Sequence, residues 1–115
     1  MGLSDKVNDI IEGNYKAIIS DVPFKNILLD LRIECILTDD EVTQLNLCKD
    51  PKYAGFEFVK ILRSRSDEDF FKFCGILKSS TIKHVQSLGR ILENLATDKG
   101  QAKGEWYSYI TLCFD

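Results

Sequence analysis

The stretch Ile36-Leu37-Thr38-Asp39-Asp40-Glu41-Val42-Thr43-Gln44-Leu45 carries the signals of a helix start in full. Thr38 suits the N-cap, where its hydroxyl can accept a free amide near the third helical position. Glu41 follows three residues later, so its carboxylate can return to the Thr38 amide and close a capping box. Leu37 before the cap and Val42 after it suit a hydrophobic staple, which sets the angle at which the chain enters the helix. Asp39 and Asp40 put negative charge at the positive end of the helix dipole. The segment predicts a joint: one helix ends before it, another begins at Thr38, and acids stand on its surface.

The same punctuation recurs on both sides. Asp50-Pro51 offers a cap followed by a proline at the first helical position, where its missing amide is not needed. Ser66-Asp67-Glu68-Asp69 repeats the cap-and-acid pattern, with Asp69 in the box position. Upstream, Asp21-Val22-Pro23 ends one helix and starts the next, with Pro23 suited to a first turn. Between these marks the apolar residues fall at helical spacing.

A first helix is predicted from about Leu3 to Ser20, with Leu3, Val7, Ile10, Ile11 and Ile18 inward. Gly13-Asn14 interrupts it, and a mid-helix glycine costs about 0.5–1 kcal/mol, so a bend or break is expected there. The second helix buries Phe24, Ile27, Leu28, Leu31 and Cys35. The third runs from Thr38 to about Leu47 or Cys48. In the fourth, Tyr53, Phe56, Val59 and Leu62 form the inner rhythm, with Phe58 and Ile61 widening the face. The fifth turns Phe70, Phe73, Cys74 and Leu77 inward, and the sixth Ile82, Val85, Leu88, Leu92 and Leu95. The expected fold class is all-α: a six-helix antiparallel bundle over residues 1–97, the first helix kinked near Gly13. Residues 98–115 read as a Gly- and Lys-containing linker and an aromatic tail.

Composition narrows the function. The chain has 115 residues, 44% of them hydrophobic, which suits one domain with its own core. A net charge of −3 disfavours nucleic acid as the main partner. The cysteines are Cys35, Cys48, Cys74 and Cys113, with no C-x-x-C pair and only His84 as a nitrogen ligand. That spacing argues against a metal site and for free cysteines packed as small hydrophobes in a reducing, cytoplasmic setting. No apolar run reaches the ~18–20 residues of a membrane span. Lys6, Asp9 and Glu12 break any signal-peptide pattern. His84 falls on a polar helix face, no glycine-rich phosphate loop is present, and the carboxylates cluster at helix starts where capping accounts for them. Neither catalysis nor a cofactor is expected.

Charge placement is more informative. Asp30 and Glu34 are four apart and share one face of the second helix. Asp39 and Asp40 continue the acidic surface, while Glu41 is committed to its cap. Lys16 lies late in the first helix, and Lys60, Arg63 and Arg65 crowd the end of the fourth. A solvated surface with dipole-complementary helix ends would look like this. So would two docking patches of opposite sign.

Three passages together resemble the caspase recruitment domain (CARD) of the death-fold superfamily. They are the interruptible first helix at Gly13-Asn14, the corner Leu31-Arg32-Ile33-Glu34-Cys35-Ile36-Leu37-Thr38-Asp39-Asp40-Glu41, and the passage from Phe56 to Arg65 into Ser66-Asp67-Glu68-Asp69-Phe70-Phe71-Lys72-Phe73-Cys74-Gly75-Ile76-Leu77. The family's glycine-histidine turn before the last helix is replaced here by Ser79-Ser80-Thr81. The resemblance implies a six-helix death fold that recruits caspases or signalling adaptors in apoptosis or innate immunity. It implies partner-binding roles for Asp30, Glu34, Asp39 and Asp40, meeting Lys16, Lys60, Arg63 and Arg65 of another CARD or of a second copy. Contacts between unlike faces do not close on themselves and propagate as helical oligomers. The alternative is a small helical nucleic-acid-binding domain using Lys60, Arg63, Arg65, Lys72 and Lys78.

Overall fold

The helix starts read at Thr38, Asp50 and Ser66 are visible in the computed structural model, which describes residues 2–97. The expected linker and aromatic tail lie outside the described residues. Within them the chain forms seven helices: α1 Asp5–Gly13, α2 Tyr15–Asp21, α3 Phe24–Ile33, α4 Asp39–Leu47, α5 Pro51–Arg63, α6 Asp67–Lys78 and α7 Lys83–Thr97. No strand occurs among the described residues. The all-α expectation holds, with seven helices in place of six.

The extra helix comes from the expected interruption of the first. Asn14, at φ −119° and ψ 14°, separates α1 from α2. Its side-chain amide donates to the Ile10 carbonyl at 2.9 Å and is buried. The Asn14 backbone amide shares the same carbonyl at 3.1 Å, and such back-bonding by a side chain favours a bend at this point. Gly13 itself remains inside α1.

The caps expected at Asp50 and Ser66 form, although no return bond from Asp69 closes a box among the described residues. Asp50 accepts from the Lys52 amide at 2.9 Å, with Pro51 leading α5. Ser66 accepts from the Asp69 amide at 3.4 Å. Pro23 stands one residue earlier than expected, at the N-cap of α3.

Four core assignments are corrected. Tyr53 and Phe56 are exposed, while Phe58, Val59 and Leu62 are buried as expected and Ala54 and Gly55 complete the inner face of α5. The reason is close approach: a Cβ on Gly55 would lie 3.0 Å from the Phe24 ring and 3.1 Å from Ile19. The inner face of α5 therefore follows its smallest residues, and Tyr53 and Phe56 rotate outward. Ile82 precedes α7 and stays 39% exposed. Cys35 is exposed rather than buried, because α3 has already ended. It takes a left-handed φ of 62°. Its amide bonds to the Arg32 carbonyl and the Ile36 amide to the Leu31 carbonyl, both at 3.0 Å. These are the two bonds of a Schellman motif, a helix stop that usually places glycine at this position.

The core is built around Phe58, whose ring meets Phe24 of α3 at 5.1 Å and Phe73 of α6 at 4.9 Å. α6 and α7 pair closely at Gly89, where a Cβ would lie 2.8 Å from the Leu77 Cβ. α1 and α2 close over α7, and α4 leans on α3 and α5.

Candidate interaction surfaces

The joint between α3 and α4 forms as its residues dictate. The Glu41 amide donates to the Thr38 hydroxyl at 3.2 Å, and the Thr38 amide donates to the Glu41 carboxylate at 2.9 Å. Leu37 is buried and Val42 half-buried against the core. Arg65 enters the same joint. Its Nη2 lies 2.5 and 2.6 Å from the two Glu41 oxygens, and its Nε donates to the Ile36 carbonyl at 3.2 Å. Burial raises the Glu41 pKa, but the Thr38 amide and the Arg65 guanidinium outweigh it and hold the carboxyl below its ordinary value. Arg65 thus spends its charge inside the molecule.

Other charges singled out in the sequence are also engaged. Asp39 accepts from the Arg32 Nε at 2.5 Å, and that bond lowers its pKa although it remains on the surface. Arg63 of α5 is bonded to Glu12 of α1. Of the cations in the nucleic-acid alternative, Lys78 pairs with Glu93 at 2.6 Å, and Lys72 donates to the Glu34 carbonyl at 3.4 Å with Glu68 4.0 Å away. Such pairing leaves Lys60 as the cation of that set without an internal partner among the described residues.

Asp30, Glu34 and Asp40 are exposed, and their side chains pair with nothing among the described residues. The same is true of Lys16 on α2 and Lys60 on α5. Of the residues singled out for docking, the unpaired acids therefore stand on α3, at its end and on α4, and the unpaired bases on α2 and α5, although exposed Asp21 and Glu57 also lie on those two helices.

Each charge set borders apolar surface that periodicity alone had turned inward or passed over. Asp30 and Glu34 line an open groove of about 570 Å³ between α3, α6 and the connector to α7. Ile27 and Ile76 form its apolar lining, with exposed Ile33 and Ile82 at its edge. Lys60 borders a smaller recess of about 260 Å³ with Tyr15, Phe56 and Arg63. There Tyr15 stacks on Phe56 at 5.9 Å and Tyr53 meets Phe56 edge-on at 6.2 Å. The sequence did carry a signal for Ile33, which falls off the Phe24–Leu31 stripe. For Tyr53 and Phe56 the deciding fact was tertiary, the close packing at Gly55.

No group of metal-ligating side chains assembles among the described residues. Burial pushes the Cys74 thiol far up, so it stays protonated inside the core. No helix among the described residues is long and apolar enough to cross a membrane. Comparison with protein-family models, curated proteins and solved structures found no match.

Proposed function

We propose that the chain is a protein-interaction module of the CARD type, recruiting a death-fold partner through faces of opposite charge. The observation that supports this most is that five of the eight charges singled out for docking are uncommitted, the acids and the bases on different helices. Asp30, Glu34 and Asp40 lie on α3, at its end and on α4, and Lys16 and Lys60 on α2 and α5, all exposed and unpaired among the described residues. Charges held on rigid helices set register and discriminate between partners more than they add affinity. On this reading the module performs no reaction. It concentrates the domains fused or bound to it, in the apoptotic or innate-immune setting that the resemblance implies.

The test is binding of the purified chain to a panel of purified CARDs and to itself. Asp30→Lys with Glu34→Lys, and separately Lys16→Glu with Lys60→Glu, should each weaken association tenfold or more. Binding that ignores both pairs of reversals rules the reading out.

A nucleic-acid role finds less support. Arg63, Arg65 and Lys78 are spent on Glu12, Glu41 and Glu93. Phosphate contacts would have to break those pairs.

A further inference from the structure

We infer that the groove between α3 and α6 is a socket for a second copy of this chain, which inserts Tyr53 and Phe56 of its α5. This rests on the interaction-module reading and deepens it by naming the occupant and the apolar contact.

The socket mixes isoleucines with the polar side chains of Asn26, Ser79, Ser80 and Thr81, and it includes Lys72, whose ammonium is turned to the Glu34 carbonyl and Glu68, so the unpaired charge at its edge is acidic. Ile27 and Ile76 line it, Ile33 and Ile82 rise from it at 63% and 39% exposure, and Asp30 and Glu34 flank them. Large aliphatic side chains grouped on a surface gain most when a partner covers them. The occupant must therefore offer apolar bulk beside positive charge, on an element rigid enough to enter a groove.

The chain carries that element. Tyr53, Phe56 and Lys60 fall at i, i+3 and i+7 of α5, the spacing by which a helix presents anchors to a groove. Tyr53 is 64% exposed and Phe56 42%. Both are held in place, Phe56 by stacking on Tyr15 and Tyr53 by its edge contact, so little side-chain freedom is lost on docking. Lys60, with Lys16 on α2, supplies the charge that Asp30 and Glu34 lack.

Within one chain the two faces belong to different packed helices and cannot meet. The contact is thus between copies and joins unlike surfaces. A pair joined by one such contact keeps one socket and one aromatic shelf open and can grow further, unless two copies insert reciprocally and close as a dimer.

Light scattering and sedimentation of the purified chain test this. The wild-type mass should rise with concentration, past that of a dimer unless insertion is reciprocal. Ile33→Asp closes the socket and Tyr53→Asp blunts the shelf, and each alone should remain monomeric, with association weakened tenfold or more. Mixed together they should form a 1:1 dimer that grows no further, because each retains the face the other has lost. Ile82→Asp and Lys60→Glu provide a second pair, and unchanged melting temperatures confirm that the variants fold.

A mixture that fails to complement overturns the inference, as does either variant assembling like wild type. A wild-type chain that stays monomeric but binds another CARD through its charged faces overturns the inference alone. If it binds neither, the interaction-module reading falls too.

Discussion

Arg65 sits with one guanidinium nitrogen 2.5 and 2.6 Å from the two oxygens of Glu41, while its Nε holds the Ile36 carbonyl at 3.2 Å. One side chain thereby ties the end of α5 to both sides of the α3–α4 joint. Glu41 in turn serves two partners, the Thr38 amide and Arg65. Both charged side chains are less than a third exposed, so the pair counts for more than an ordinary surface ion pair. Arg65→Ala should cost about 1–3 kcal/mol in chemical denaturation. Arg65→Lys should recover only part of this, since an ammonium cannot reproduce the planar fork.

The same contact makes stability depend on acid. Glu41 ionises more readily folded than unfolded, where its ordinary value is 4.5. Its stabilisation is therefore fully present well above pH 4.5 and drains away as pH falls through the lower folded value. The melting temperature of wild type should exceed that of Glu41→Gln at neutral pH, and the two should converge on acidification. A constant gap would show that the charge is not what matters.

Thr38→Ala removes the other half of the capping box. The expected loss is about 0.5–2 kcal/mol by denaturant unfolding, with the helical circular dichroism of the folded state retained. Asp39→Asn should have a much smaller effect, because its pair with Arg32 is exposed to solvent.

Backbone conformation separates three further positions. Cys35 occupies a left-handed conformation that costs an L-residue about 1–2 kcal/mol, so Cys35→Gly should stabilise. Gly89→Ala should destabilise by about 1–3 kcal/mol, because its Cβ would press on Leu77 and on the Lys78 amide. Gly13→Ala meets nothing within 4 Å and should stabilise α1 by about 0.5–1 kcal/mol. The break at Asn14 should persist, since the Asn14 side chain keeps its bond to the Ile10 carbonyl in that variant. Thermal melts of the three variants give the signs directly.

What could be read in advance follows the range of each interaction. The joint at Thr38 was legible because all its parts lie within six residues, and the helix starts at Asp50 and Ser66 were legible for the same reason. Arg65–Glu41 and Arg63–Glu12 join residues 24 and 51 positions apart, and only packing decides such partners. The docking residues proposed from sequence therefore divided. Asp39, Arg63 and Arg65 hold the domain's own surface together, while Asp30, Glu34, Asp40, Lys16 and Lys60 remain available. The outward turn of Tyr53 and Phe56 was hidden for a similar reason, since a periodic pattern does not reveal which row of a helix meets a neighbour too close for a side chain.

Duplex binding offers a check on the charge accounting. With Arg63, Arg65 and Lys78 engaged, random-sequence duplex DNA should produce no anisotropy change at physiological salt. Tight binding that falls steeply as salt rises would instead favour the nucleic-acid reading.

Exchange of charge between the two faces is the most direct test of docking through Asp30, Glu34, Lys16 and Lys60. The doubly reversed chains, Asp30→Lys with Glu34→Lys and Lys16→Glu with Lys60→Glu, should each lose self-association by sedimentation at low salt. A chain carrying all four substitutions presents the same complementarity with its signs exchanged, and it should associate again, close to wild type. A fourfold variant as inert as either double, or doubles that associate as wild type does, would contradict docking through these charges.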